Sequence, residues 1–128
     1  MTLLSLSVGA ALGATLRYYT SLWAVARFGP SFPWGTLIVN IVGSIILGFV
    51  LSLATAPGER ALLSPTLRVL LATGFCGSLT TFSTFSYEAV VLMQEGRNLF
   101  AVLYMAGSML FGLLGVLLGL LLARLVLR

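Results

Sequence analysis

Histidine, lysine and aspartate are absent from this chain, and cysteine occurs once, at Cys76. Without histidine and with a single thiol, it cannot assemble a conventional zinc site, a Ser-His-Asp triad or an internal disulfide. Most familiar enzyme chemistry goes with those residues, so the chain is expected not to be an enzyme. Charge is scarce too. Seven arginines and three glutamates make up the whole inventory, 8% of 128 residues, where a water-facing domain carries about a quarter. A soluble surface cannot be built from that.

What fills the chain instead is hydrocarbon. Hydrophobic residues make up 59% of it, and a mean hydropathy of +1.12 spreads them over nearly the whole length, which predicts an all-α integral membrane protein. The net charge of +4 does not argue for nucleic acid, because the arginines stand singly at 17, 27, 60, 68, 97, 124 and 128 and form no patch to follow a phosphate backbone. The expected surroundings are membrane lipid. No positively charged stretch precedes the first apolar run, and Gly9 to Arg17 reads as packing surface rather than a cleavage site, so a membrane helix is expected from Leu3 onward.

Turn residues divide the chain into four spans in a single membrane domain, 1–128, with helices at about 3–26, 33–55, 66–94 and 99–124. The breaks are Arg27-Phe28-Gly29-Pro30, then Ala56-Pro57-Gly58-Glu59-Arg60, then Glu95-Gly96-Arg97-Asn98. Ser64 before Pro65 is a helix start, while Trp23, Phe32 and Trp34 suit an interfacial belt. Such short connections require an up-and-down bundle with its function inside the membrane. Termini and second loop on one side place Arg60, Arg68, Arg124 and Arg128 there, against Arg27 and Arg97 opposite. That weak bias fits either a fixed orientation or insertion both ways with antiparallel pairing. Gly9-x-x-x-Gly13 and Gly115-x-x-x-Gly119 have the spacing of close helix contacts, within one subunit or between two.

The third span is too polar for lipid. From Gly74 to Ser86 it reads Gly-Phe-Cys-Gly-Ser-Leu-Thr-Thr-Phe-Ser-Thr-Phe-Ser, and hydroxyls at Thr73, Ser78, Thr80, Thr81, Ser83, Thr84 and Ser86 go all round a helix. They can bond back to their own backbone in a buried helix. Alternatively, the glycines and the Thr-Thr pair mark a break near Gly77 to Thr80, whose freed carbonyls would face a small cation. No acid lies in this stretch: Glu59 and Glu95 are in loops, Glu88 is toward the end of the third helix, and Arg17 lies inside the first. An arginine there costs roughly 2.5–3.5 kcal/mol on insertion scales, so it either lines an aqueous vestibule, favouring an anion, or snorkels or pairs with Glu88. Asn40, Tyr104 and Ser108 can supply a track of neutral donors. Phe82 and Phe85 share a face, either for packing or to present electropositive ring edges to an anion.

The Gly74 to Ser86 motif closely resembles the signature of the Fluc/CrcB fluoride channels. Gly13-Ala14 with Arg17-Tyr18, and Gly35-Thr36-Leu37-x-Val39-Asn40, resemble the family's first- and second-helix motifs, and the likeness covers essentially the whole chain. It implies an antiparallel, dual-topology homodimer of four-helix subunits with a broken third helix, enclosing two fluoride pores and a central sodium ion. Carried over by position, backbone carbonyls of Gly77 and Thr80 would hold the sodium, and Phe82 and Phe85 would be the ring-edge ligands of fluoride. Asn40 would sit beside the pore, Ser83, Thr84, Tyr104 and Ser108 would continue the polar track, and Arg17 and Glu88 would stand near the pore ends. Gly112 departs from the pattern, since many members carry a hydroxyl about one turn beyond the Ser108 position. The implied function is passive fluoride efflux across the cytoplasmic (inner) membrane, protecting the cell from fluoride. Two alternatives stay open: a small proton-coupled multidrug-type exporter, which would need an acid where the first helix has only Arg17, and a non-conducting membrane subunit.

Overall fold

The computed structural model describes residues 2–55 and 62–128, and among these every regular element is helical and there is no strand. The second break, Ala56 to Arg60, lies outside the described residues. Helix α1 is Thr2–Phe28 and α2 is Trp34–Ala54. Gly29 ends α1 at φ 82°, its N–H bonded to the Val25 carbonyl at 2.9 Å, and Pro30 follows. A left-handed residue is needed at that position, which is why glycine stands there.

Helix α3, residues 65–79, begins where the Ser64 hydroxyl accepts from Leu67 N at 3.2 Å and Pro65 takes the first position, whose N–H would have no helical partner. It is α-helical over Pro65–Arg68, widens to the rare π form over Val69–Cys76, and tightens again over Gly77–Leu79. Thr80 (φ −81°, ψ 157°) and Thr81 (φ −154°, ψ 122°) are then extended. Helix α4 is Phe82–Gln94 and α5 is Asn98–Val126.

Trp34–Ala54, Pro65–Gln94 and Asn98–Val126 are each long and apolar enough to cross a bilayer. Helix α1 matches them in length at 27 residues but is more polar, with Arg17, Tyr18 and Tyr19 in one run.

Glycine decides how the helices meet. A Cβ on Gly9 would run into the Leu70 carbonyl and one on Gly13 into the Phe75 carbonyl, while one on Gly74 would lie 2.7 Å from the Leu6 carbonyl oxygen. Helix α1 therefore lies directly on the backbone of α3. Helix α5 approaches α2 in the same way: a Cβ on Gly119 would meet the Ile45 carbonyl, and one on Gly115 would lie 3.2 Å from the Ile41 carbonyl oxygen. Both small-residue pairs are thus spent inside the subunit. A compact cluster of Ala89, Leu92, Ala101 and Tyr104, covered by Phe32, Leu37, Phe85 and Met105, ties α4 to α5.

Candidate functional site

Two extended residues at membrane depth leave backbone groups that need partners, since no water is at hand to supply them. Asn40 satisfies two of them. Its Oδ1 accepts from Thr81 N at 2.8 Å and its Nδ2 donates to the Thr81 carbonyl at 3.2 Å. The same Thr81 N–H would close on the Gly77 carbonyl if the helix continued, so the amide side chain of α2 stands in for a helical turn. Thr80 Oγ1 donates to the Cys76 carbonyl at 3.0 Å, and Arg17 Nη1 reaches the Thr80 carbonyl at 3.5 Å. Beyond the interruption, the Thr81 hydroxyl caps α4 by accepting from Thr84 N at 3.2 Å.

Above these bonds lies a cavity of about 330 Å³, lined by Asn40, Ser44, Thr81, Phe82, Phe85 and Ser108 among others, and no ionisable side chain among the described residues lines it. Phe82 and Phe85 stand one turn apart with ring centroids 5.8 Å from each other, and Phe82 is 80% exposed in the single chain. The Ser108 hydroxyl is buried and has no hydrogen-bond partner among the described residues. A buried orphan hydroxyl is costly in an apolar medium, and among the described residues Ser108 Oγ is the one such side-chain atom.

Tyr104 touches one wall residue of this cavity and two of a second, and lines neither. Fully buried, its ring packs on Phe85 (centroids 5.1 Å) and Phe32 (5.5 Å), and its hydroxyl donates to Glu88 Oε2 at 2.7 Å. Thr36 Oγ1 donates to the other carboxyl oxygen of Glu88 at 2.9 Å. Glu88 in turn lines a cavity of about 230 Å³ that opens where α4 turns into α5.

The structure therefore brings Asn40, Phe82, Phe85 and Ser108 around one cavity and hangs Tyr104 and Glu88 together next to it. Ser83 and Thr84 go elsewhere: their hydroxyls lie 3.3 and 3.1 Å from Thr81 Oγ1 at the start of α4, and they line neither cavity. Arg17 is half-buried and reaches Thr80; the carboxyl of Glu88 is taken up by Thr36 and Tyr104. Gly112 lines the first cavity, and a Cβ there would lie 3.8 Å from the Ser44 hydroxyl. That hydroxyl is a polar group the sequence reading missed, while Thr36 and Thr81 are named there without a role of their own. Thr36, Asn40 and Ser44 recur every four residues on α2, a spacing that puts them on one helix face and was available in the sequence.

Residues 4–120 match the family described as CrcB-like protein, Camphor Resistance (CrcB). The chain belongs to that family. It is 50% identical over 119 residues to a protein of Roseiflexus sp. (strain RS-1), covering 93% of this chain and 94% of the relative. A Synechococcus sp. (strain JA-2-3B'a(2-13)) relative is 46% identical over 121 residues, with 94% and 91% covered, and one from Rhizobium meliloti (strain 1021) is 43% identical over 122, with 95% of each covered. All three are named "Fluoride-specific ion channel FluC". With three helices able to span a bilayer, this is a multi-pass membrane protein.

Proposed function

We propose that this protein is a fluoride-selective ion channel that lets fluoride leave the cell passively through the cytoplasmic membrane. As a channel it is not an enzyme. The observation that carries the reading is the uncharged 330 Å³ cavity, which collects an amide, hydroxyls and two phenyl rings around a buried hydroxyl without a partner. Neutral donors replace part of an anion's hydration shell without trapping it as a fixed cation would. The names of the relatives support the same ion. An inside-negative potential drives an anion outward by about 2.3 kcal/mol per 100 mV, so no coupled energy source is required. Hydrogen fluoride enters neutral and ionises in a less acidic cytoplasm, which gives the cell a reason to hold such a pore.

The conducting unit in this proposal is an antiparallel homodimer. Helix α1 has the length of a fourth span, and α3 with α4 forms one crossing interrupted at Thr80-Thr81. The exposed Phe82 ring is a surface that a second copy would cover. The central sodium fits the residues present. Thr80 is extended and the Thr81 N–H has been drawn away from the Gly77 carbonyl, while Arg17 reaches the Thr80 carbonyl only at 3.5 Å, a contact the ion would displace. Neutral carbonyl oxygens suit a hard monovalent cation, and Gly77 and Thr80 of one chain would supply part of its shell and those of the second chain the rest. Bound there, the ion would hold the two interruptions against each other. Unfolding that is monomeric, and identical with and without sodium, would remove dimer and sodium together.

The test of function is efflux from liposomes holding only this protein, followed by electrode after valinomycin is added. Fluoride release without chloride release is expected; neither ion moving from folded protein would sink the proposal. Within that assay Phe82→Ile keeps apolar bulk but removes the polarised ring edge, and should slow fluoride by about tenfold or more, the value of one charge-assisted contact, with the dimer intact. Full flux would show that the ring only packs.

A further inference from the structure

The turn between α4 and α5 carries an ion pair that the donor cavity does not use. Gly96 is left-handed at φ 74°, its N–H bonded to the Met93 carbonyl at 3.0 Å, and Arg97 N–H follows to the Leu92 carbonyl at 2.9 Å. These two bonds close a helix end around glycine and fix the backbone of Arg97 at the rim of the 230 Å³ cavity. The side chain is held as well. Arg97 Nη1 lies 3.4 Å from Glu95 Oε2, and its guanidinium carbon sits 4.8 Å from the centroid of the Phe100 ring. Arg97 is the more enclosed of the pair, its side chain 29% exposed against 53% for Glu95.

This cavity differs in charge from the first. Among the described residues two carboxyls, Glu88 and Glu95, line it, and Arg97 is the single basic side chain that does. We infer that fluoride enters through this cavity and that Arg97 is its entrance residue: by cancelling Glu95 at the rim, it leaves Glu88, whose oxygens are taken up by Thr36 and Tyr104, as the one lining carboxyl that an approaching fluoride meets without a counter-charge. The inference rests on the channel reading. A partly enclosed mouth with low-dielectric walls focuses such a field, so the sign of the rim sets the local anion concentration. Screening gives the effect its signature, because charges act over about 30 Å at 0.01 M salt but only about 10 Å at 0.1 M.

The experiment records unitary fluoride conductance of the full-length protein in planar bilayers at about 0.01 M and about 0.3 M ionic strength. Arg97→Gln leaves both backbone bonds in place and is expected to lower conductance about twofold or more at low ionic strength, with the difference gone at high. Adding Glu95→Gln to it restores the low-salt value, and Arg97→Lys behaves as wild type. Glu95→Gln alone, which frees the guanidinium, raises low-salt conductance and provides a reading even if Arg97→Gln folds poorly. An unchanged low-salt conductance in both single variants overturns the inference, and so does a loss that is equal at both ionic strengths or is not rescued by Glu95→Gln. Wild-type protein that passes no fluoride at either ionic strength fails the channel reading instead.

Discussion

Asn40→Asp lowers fluoride efflux by about two orders of magnitude while leaving much of the fold in place. The carboxylate keeps an oxygen for Thr81 N, so the 2.8 Å bond survives, but it cannot donate to the Thr81 carbonyl as Nδ2 does at 3.2 Å. The Thr81 carbonyl is left without its donor and facing a carboxylate oxygen, a loss of about 1–3 kcal/mol. The effect on the ion is at least as large. A negative charge placed in the lining of the uncharged cavity repels a fluoride about 5 Å away by roughly 3 kcal/mol at an effective dielectric constant near 20, and each 1.4 kcal/mol is about tenfold. Asn40→Ala acts on the other term: both bonds go and two backbone groups in the membrane interior lose their partners, so stability drops more than in the aspartate variant. Efflux rates and unfolding midpoints measured on both variants test this division. Near-normal fluoride efflux by Asn40→Asp would show that the anion does not pass this cavity.

The second large effect is on assembly of the helices. Gly13→Ala should destabilise the protein by about 1–3 kcal/mol, the usual range for overpacking, because the new methyl has only the backbone of α3 to push against. Side chains can rotate away from a methyl group; a carbonyl in a helix cannot. The site would feel the shift, since Arg17 stands one turn further along α1 and reaches the Thr80 carbonyl. Gly107→Ala is the matched control. Its Cβ position has nothing nearer than Phe111 Cδ2 at 4.0 Å, so that variant should be neutral or gain up to about 1 kcal/mol from helix propensity. Thermal unfolding in detergent compares the two, and equal midpoints for wild type and Gly13→Ala would refute direct backbone contact between α1 and α3.

Much of this protein was determined by sequence alone, and for a simple reason. Transfer of a residue between water and lipid depends on composition, so a chain with 8% charged residues and long apolar runs could only be a membrane protein, whatever its packing. Punctuation was local too: Gly29, Ser64-Pro65 and Gly96 end or start helices through their own backbone preferences. The polar stretch from Gly74 to Ser86 was conspicuous because hydroxyls in a membrane span need an explanation.

Partner choice was not local, and only the tertiary structure decided it. Composition could not tell whether the glycine pairs joined helices of one subunit or of two; the close approach of α1 to α3 and of α5 to α2 settled that. Nor could it assign each hydroxyl in the polar stretch. Thr81 caps α4 and draws in Ser83 and Thr84, whereas Ser108, on another helix, is left buried and unpaired in the cavity. The same holds for Glu88, whose two oxygens are taken up by Thr36 from α2 and Tyr104 from α5. A hydrogen bond is specific in distance and direction, so which of several equivalent donors meets which acceptor depends on how the helices cross, and that is fixed by the glycines where their backbones touch.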